Sequence, residues 1–205
     1  MPLETEIKIR ISSVRATRLR LRRLGFRIHK RRVFERNVIL DTPARDIVKT
    51  GQLIRIRRVG GRAIVTYKGP SKNGRHKSRE EIETQVADPE ALETIFARLG
   101  LQPTFRYEKI RTEYERPGNG GIVTVDETPV GDFLEIEGAS KWIDATAREL
   151  GFTRADYITS SYGQLYIQYC RDQGIKPAQM IFQSTHRGIR RTHGRTPERK
   201  KAKLP

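Results

Sequence analysis

Residues 3–11 read LETEIKIRI, with a charged side chain at every even position and mostly apolar side chains between them. Successive side chains of a β-strand point to opposite faces, so this stretch predicts a strand with one charged and one apolar face. A solvated sheet face would account for one such strand. The alternation recurs, however, at 53–57 (LIRIR), 79–83 (REEIE), 109–111 (KIR) and 135–137 (EIE). Several strands are therefore expected to share one charge-rich face.

Alternation, β-branched content and turn residues predict eight strands, mixed with helices, and hence an α+β fold. The strands are expected at about residues 3–11, 32–41, 52–58, 62–68, 77–87, 105–115, 121–127 and 132–138. Gly60-Gly61 and the run 117–121 are typical of hairpin turns, which favours an antiparallel sheet. Helices are expected at about 12–24, 89–99, 141–150 and 160–173.

The two faces of these strands need different partners. Helices packed outside the sheet would cover the apolar face, which on the first strand comprises Leu3, Ile7, Ile9 and Ile11. In a closed barrel the charged faces would line the interior. The expected inward charges are basic at Lys8, Arg10, Arg55, Arg57, Lys68, Arg79, Lys109 and Arg111 and acidic at Glu4, Glu6, Glu81, Glu83, Glu113, Glu135 and Glu137. Buried ions are costly unless paired, hydrated or bound, so such a lumen is expected to bind a ligand. Closure also removes exposed sheet edges, and eight strands can enclose a small ligand.

The composition favours a cytoplasmic protein without a membrane segment. No apolar run approaches the roughly 20 residues that span a bilayer, and charged residues stand where a signal peptide would be apolar. The single Cys170 cannot form an internal disulfide and fits a buried structural thiol. The net charge is +17, and residues 184–205 carry eight Lys or Arg against one Glu. That tail is expected to be disordered, with nucleic-acid contact through it as a secondary role.

Six charged motifs in a fixed order resemble those of the CYTH, or triphosphate tunnel metalloenzyme, superfamily. They are Glu4-Thr5-Glu6-Ile7-Lys8, 53–57 (LIRIR), 66–69 (TYKG), 79–83 (REEIE), 107–111 (YEKIR) and 131–138 (GDFLEIEG). The resemblance covers roughly residues 1–170. Within it, 126–131 (DETPVG) and 160–166 (SSYGQLY) are most similar to class IV adenylate cyclases. It implies an eight-stranded antiparallel barrel with external helices, formed by a domain at 1–175 that the basic tail 184–205 follows.

The resemblance also implies a triphosphate-containing substrate held with Mg²⁺ or Mn²⁺. The implied substrate-binding residues are Lys8, Arg10, Arg55, Arg57, Lys68, Arg79, Lys109 and Arg111, among which Lys8, Arg55, Arg57, Lys109 and Arg111 are the implied catalytic residues. Arg forks grip phosphate oxygens bidentately, which suits this role. The implied metal ligands are Glu4, Glu6, Asp126, Glu135 and Glu137, since carboxylates would repel a triphosphate unless a hard cation lay between them.

Several alternatives stay open at this stage. Glu81 and Glu83 are expected either to contact the ligand or to support the basic residues by pairing. Tyr162, Tyr166 and Tyr169 are expected to pack a helix rather than to stack on a base. An adenylate-cyclase-like reaction is favoured, with a triphosphatase acting on inorganic, thiamine or nucleoside triphosphate as the alternative. A binding module for polyphosphate or nucleic acid is the non-enzymatic alternative.

Overall fold

The computed structural model describes residues 3–72, 74–118 and 120–183. Its strands are β1 (Leu3–Ile11), β2 (Arg27–Asp41), β3 (Leu53–Val59), β4 (Arg62–Lys68), β5 (Lys77–Val86), β6 (Gln102–Glu115), β7 (Gly121–Thr128) and β8 (Gly131–Gly138). Its helices are α1 (Val14–Arg23), α2 (Asp46–Lys49), α3 (Pro89–Arg98), α4 (Ser140–Glu149) and α5 (Tyr162–Asp172), with a 3₁₀ turn at Arg154–Asp156. The tail expected to be disordered, 184–205, lies outside the described residues.

The eight strands form a closed barrel in the order β1-β5-β4-β3-β2-β6-β7-β8, and every neighbouring pair is antiparallel. The predicted α+β barrel is confirmed. Strand β1 closes the ring, because Glu6 lies opposite Lys77 on β5 and opposite Glu137 on β8. Residues directly opposite one another share a face, so closure brings these three charges together.

Strand β2 begins at Arg27 rather than near residue 32. Its first half pairs with the end of β6, where Arg27 lies opposite Glu115, and the register is irregular between Ile28 and Val33. Residues 27–32 (RIHKRR) are exposed and almost uniformly basic. The apolar and polar alternation that reveals a strand is therefore missing from this half, which explains why its start was not predicted.

The apolar faces of β1, β7 and β8 are buried under helices, as predicted. Ile7 and Ile136 are fully buried and belong to one core cluster with Leu21 of α1 and Ile143 of α4. Leu3 departs from the expectation, because it is 58% exposed at the first position of β1. Helix α3 has no buried residue and is held by ion pairs from Arg58 to Glu90 and Glu93. Among the described residues, no helix is both long and apolar enough to cross a bilayer.

Helix α5 covers a second part of the barrel and brings aromatic rings toward its interior. It begins in a capping box, in which the Ser161 hydroxyl accepts from the Gln164 backbone N–H while Gln164 Oε1 accepts from Ser161. Tyr162, Tyr166 and Cys170 form the buried face of this helix. The thiol of Cys170 is therefore buried, as expected for a structural cysteine.

Candidate active site

The barrel encloses a cavity of about 360 Å³ whose wall includes many charged side chains. Seven of the eight predicted substrate-binding residues line it: Lys8, Arg55, Arg57, Lys68, Arg79, Lys109 and Arg111. Three of the predicted metal ligands, Glu4, Glu6 and Glu135, lie on the same wall. The volume falls within the range of roughly 300 to 1,000 Å³ typical of small-molecule sites. The alternation along the strands thus brings most of the predicted site into one space.

Lys8 lies at the centre of the carboxylate side of the cavity. Its ammonium group is 2.9 Å from a Glu6 oxygen and 3.2 Å from a Glu135 oxygen, and it lies 5.4 Å from the centre of the Tyr162 ring. Burial opposes the charged form, but the two carboxylates outweigh it and raise the pKa of Lys8 above its usual value. This lysine is therefore a fixed positive charge in the cavity wall.

Asp126 organises two cations on the neighbouring strand β6. It is fully buried, and its oxygens accept from Lys109 at 2.9 Å, from Arg111 at 2.7 Å and from the Tyr162 hydroxyl at 2.7 Å. The β6–β7 register creates this arrangement by placing Arg111 directly opposite Asp126. Asp126 was expected to bind metal, but it does not line the cavity and its oxygens are occupied by cations. In this structure it positions Lys109 and Arg111.

Two further cations, Arg55 and Lys68, are paired with acids on β5. Arg55 donates to Thr66 at 3.0 Å and to Glu83 at 3.0 Å, while Lys68 is 2.8 Å from Glu81. Neither glutamate lines the cavity, which favours the supporting role over direct ligand contact. The Nε atoms of Arg55 and of Arg79 are buried and, among the described residues, have no hydrogen-bond partner. These two N–H groups can still donate to a bound anion.

Four carboxylates lie close together beside these cations. Burial and the charges of Glu4, Glu135 and Glu6 raise the pKa of Glu137 to about 7. Burial alone would raise the pKa of Glu4, but its hydrogen bond with Glu81 and the charge of Lys68 lower it to about 2. Such crowding of acids is relieved when a cation neutralises them. Their oxygens are the hard donors that Mg²⁺ and Mn²⁺ prefer.

The carboxylates nevertheless do not form a ready-made metal cage. Within the part of the chain that the structure describes, no three acidic, His or Cys side chains are arranged to hold an ion. Glu6 and Glu135 are instead paired with Lys8, and Glu4 with Lys68 at 2.6 Å. Glu137 lies at a neighbouring surface opening beside Gly121 and Gly138 rather than on the cavity wall. Metal binding would therefore require these side chains to exchange partners.

Besides Glu81, Glu83 and Glu137, two more expected inward charges lie off the cavity wall. The guanidinium of Arg10 donates to the Val130 carbonyl at 3.0 Å and lies 4.7 Å from the centre of the Phe133 ring. Arg10 is exposed and does not line the cavity, because its side chain lies against the β7–β8 turn. Glu113 also lies outside the cavity, where it pairs with Lys30 at 2.9 Å.

Lys77, Glu35 and Tyr107 are among the buried polar residues of the site that were not predicted. Lys77 lines the cavity 3.6 Å from Glu6, and burial together with the charges of Lys8, Arg79 and Lys68 lowers its pKa to about 8. Glu35 lies 3.7 Å from both Lys109 and Arg57. Tyr107 is buried on the wall, and although burial opposes it, the charges of Arg55, Lys109 and Arg57 lower the pKa of its hydroxyl. Residue parity could have revealed Lys77 and Tyr107, since 77 continues the series 79, 81 and 83, and 107 continues 109 and 111.

Tyr162 combines packing with a polar role that its helical spacing did not indicate. Its ring lies 5.4 Å from the Lys8 ammonium and 5.2 Å from that of Lys109, while its hydroxyl donates to Asp126. Burial and the neighbouring carboxylates raise the pKa of this phenol well above its usual value. The tyrosine therefore stays protonated and fixes the orientation of Asp126.

Comparison with known proteins finds relatives of this chain in both sequence and structure. Residues 2–162 match the CYTH domain model. A Methanocaldococcus jannaschii protein named "Putative adenylate cyclase MJ0240" is 34% identical over 135 residues, which make up 66% of this chain and 76% of that protein. The structure of PH1819 from Pyrococcus horikoshii superposes with a TM-score of 0.68 at 28% identity, covering 80% of this chain and 98% of that one. The fold is also shared with HpAC1 from Hippeastrum, at a TM-score of 0.57 and 20% identity, covering 85% of this chain and 97% of that one. That plant protein is described as a putative adenylyl cyclase with a dominant triphosphatase activity.

Proposed function

The chain belongs to the CYTH domain family, and from this premise we propose that it is a divalent-metal-dependent enzyme acting on a triphosphate inside the barrel. The observation that carries the proposal is the cavity wall, on which seven predicted cations stand beside three predicted metal-binding glutamates. A site that bound a polyanion alone would not need the three glutamates. A polyanion accompanied by a hard cation accounts for both signs of charge.

The donor set fits Mg²⁺ or Mn²⁺. Glu4, Glu6, Glu135 and Glu137 supply only carboxylate oxygens, and burial together with the charges of the other three raises the pKa of Glu137. These four residues would hold the ion, with Lys8 and Lys68 released toward the phosphates. When bound, such an ion neutralises phosphate charge and helps to align the reacting oxygens.

The protein's own residues supply positioning and charge. Arg55 and Arg79 have Nε–H groups available for phosphate oxygens, and Asp126 holds Lys109 and Arg111 in place. Donors fixed before the reaction stabilise charge that develops in the transition state without reorganising. Phosphoryl transfer depends mainly on this kind of positioning and electrostatic stabilisation.

Two reactions use such a site and differ in the nucleophile. In the adenylate-cyclase-like reaction, the ribose 3′-hydroxyl of ATP attacks the α-phosphorus and pyrophosphate leaves. In the triphosphatase reaction, water attacks the terminal phosphorus, the diphosphate part of the substrate leaves, and inorganic phosphate is formed. The name of the Methanocaldococcus relative supports the first, and the description of the Hippeastrum protein supports the second. We place the cyclase reaction first because this chain is 34% identical to the archaeal relative and 20% identical to the plant protein.

A substrate panel separates these reactions. The full-length protein would be incubated with ATP, thiamine triphosphate or tripolyphosphate in Mg²⁺ or Mn²⁺, and cyclic AMP, pyrophosphate and phosphate would be measured. Cyclic AMP with equal pyrophosphate from ATP is the expected result. Phosphate without cyclic AMP would replace the cyclase with the triphosphatase. Binding without turnover of any of the three would leave only the non-enzymatic role.

A further inference from the structure

A strongly basic region lies on the outside of the barrel, away from the cavity. Residues 14–32 contain nine Lys or Arg and no Asp or Glu. They form α1, the turn after it and the first half of β2. Eight of the nine cations are exposed, and none of the nine lines the cavity. Seven of them make up what we call the basic face: Arg15, Arg18, Arg22, Arg27, Lys30, Arg31 and Arg32.

A shared acid joins the two parts of the basic face. Glu127 on β7 accepts from the guanidinium of Arg18 on α1 at 2.9 Å. It also accepts from Arg32 on β2 through two bonds of 2.9 Å, in the bidentate form typical of arginine. The helix and the strand are therefore held side by side, and their cations belong to one surface.

The orientation of α1 brings further cations toward this strand. Arg15, Arg18 and Arg22 follow one another at i, i+3 and i+7, and therefore share one face of the helix. Burial raises the pKa of Tyr114, and the charges of Arg18 and Arg22 oppose that rise. Tyr114 lies directly opposite Ile28 on the first half of β2. This side of the helix therefore borders the basic half of the strand.

The nearby acids leave much of this charge uncompensated. Glu127 is shared by two cations of the face, and Glu113 pairs with Lys30 at 2.9 Å. Within the described ranges, the other four cations have no carboxylate at ion-pair distance: Arg15, Arg22, Arg27 and Arg31. Their guanidinium groups can donate to phosphate oxygens in bidentate pairs.

The strand half that carries these cations is also an exposed sheet edge. β2 pairs with β3 only from Glu35 onward, so residues 27–34 have a neighbouring strand on one side alone in the part of the chain that the structure describes. Charged side chains protect such an edge from pairing with another chain. That role requires neither arginine nor the continuation of the charge onto α1. A partner that carries many phosphates accounts for both features.

The basic sequence 184–205 begins beside the same surface. The ring of Phe182 lies 6.3 Å from the ring of Phe34 on β2. Phe34 lies opposite Ile110 on β6, which in turn lies opposite Glu127, so the three share one face of the sheet. Two basic segments that start so close together repel each other. A polyanion bound to both removes that repulsion.

We propose that the basic face binds the phosphate backbone of double-stranded nucleic acid, independently of base sequence. Residues 27–32 in extended form span roughly 17 Å, the length of about five base pairs. The exposed residues of 14–32 include no Phe, Tyr or Trp on which single-stranded bases would stack. Their large apolar side chains are Leu19 and Ile28, too few for the apolar face with which a helix enters a lipid surface. This binding is separate from the cavity and does not depend on the proposed enzymatic function.

The test compares two triple variants of the full-length protein. One neutralises three unpaired cations of the basic face: Arg22→Gln, Arg27→Gln and Arg31→Gln. The control neutralises three exposed arginines of β4, α3 and α5 that also lack an ion pair among the described residues: Arg62→Gln, Arg98→Gln and Arg171→Gln. Binding of a DNA duplex and of an RNA duplex would be followed by fluorescence anisotropy over a range of salt concentrations. Both duplexes would have 5′-hydroxyl ends, so that neither offers a triphosphate to the cavity.

We expect wild-type protein to bind both duplexes, with an affinity that falls steeply as salt rises. For DNA, loss of three phosphate contacts should lower the slope of log affinity against log salt by about 2.7, because each contact contributes about 0.9. The face variant should also bind at least about tenfold more weakly, and the control variant less than about threefold more weakly. Turnover of triphosphate should be the same in both variants, since no substituted residue lines the cavity.

Circular dichroism would confirm that the variants are folded. Arg31→Gln alone should lower the slope by about 0.9 and replaces the triple variant if that protein does not fold. Failure of wild-type protein to bind either duplex would overturn the proposal. Equal losses in the face and control variants would also overturn it, because the binding would then depend on overall charge. Binding to phosphatidylserine vesicles without binding to either duplex would make the surface a membrane contact instead.

Discussion

The inner and outer faces of the barrel are both buried, yet they contribute to different properties. On β1, Ile7 and Ile9 are at most 1% exposed in the outer apolar core, while Lys8 between them is 3% exposed against Glu6 and Glu135. Burying apolar area stabilises by about 25 cal/mol per Å². Burying an ion pair roughly breaks even, because desolvation offsets the attraction. Stability should therefore come mainly from the outer face and ligand binding from the inner face.

The largest effect on stability is expected at Asp126, an inner-face residue that stabilises the fold. Asp126→Ala would leave Lys109 and Arg111 without their shared carboxylate in a buried site. We expect the free energy of unfolding to fall by about 3 to 5 kcal/mol, the cost of removing one partner of a buried ion pair. Urea denaturation would measure it. Added tripolyphosphate with Mg²⁺ should restore part of the loss, since an anion can replace the missing charge.

The control for this variant is Asp172→Ala, which removes an exposed aspartate whose side chain bonds Gln168 on α5. It should change the free energy of unfolding by less than about 0.5 kcal/mol. Equal stability of Asp126→Ala and wild-type protein would mean that Asp126 does not organise the cations.

The outer face is tested by Ile136→Ala. Ile136 is fully buried in the core cluster, so the substitution should lower the free energy of unfolding by about 3 kcal/mol through lost burial and a residual cavity. The matched control is Ile82→Ala on β5, where the isoleucine is 51% exposed, and it should cost under about 1 kcal/mol. The KM of the folded Ile136→Ala protein should match that of wild type. A large KM change at unaltered stability would reverse the assignment of the two faces.

The inner face is tested by Arg55→Met. Removing one fixed donor to the transition state typically costs about 100-fold or more in turnover, and we expect that loss here. Thermal unfolding should change little, because the partner Glu83 is partly exposed and can be hydrated. Arg58→Met is the matched control on the same strand, since Arg58 pairs with Glu90 and Glu93 of α3 outside the barrel. Equal turnover of the two variants would contradict the inner-face assignment.

A smaller effect concerns pH. The pKa of Glu137 rises from its ordinary value of 4.5 to about 7 in the folded protein. The folded state therefore holds this proton where the unfolded state has released it, so its contribution to stability falls as pH rises between about 5 and 7. In metal-free protein, Glu137→Gln should flatten that fall, as measured by urea denaturation across this pH window. A steeper fall of the free energy of unfolding with pH in Glu137→Gln than in wild-type protein would contradict this prediction.

The alternation of the sequence predicted the closed barrel and most of its cavity wall, because strand periodicity fixes which side chains point inward. It could not distinguish Glu135, on the wall, from Asp126, behind it, since both are inward acids on neighbouring strands. Which one meets the cavity depends on where Lys109 and Arg111 find their partners, and that follows from the β6–β7 register. Arg10 occupies a position of β1 at which alternation predicts an inward side chain, yet its long side chain lies along the β7–β8 turn.

The contribution of α5 was the least predictable part of the site. Helical spacing indicated that Tyr162 packs, and it does, but its bond to Asp126 requires the helix to lie across the barrel. That placement is set by tertiary contacts between distant segments, such as the backbone hydrogen bonds between Met180 and β6. Such contacts leave no periodic signal in the sequence.

The central claim is that the inner face binds triphosphate together with a divalent cation, and one titration tests it most directly. Tripolyphosphate would be titrated calorimetrically into full-length protein in Mg²⁺ and in EDTA, with Glu6→Gln as the comparison variant. We predict clear binding in Mg²⁺, at least about tenfold weaker binding in EDTA, and loss of this difference in Glu6→Gln, because uncompensated carboxylates repel the ligand. Equally tight binding with and without metal, or no binding in Mg²⁺, would contradict the account.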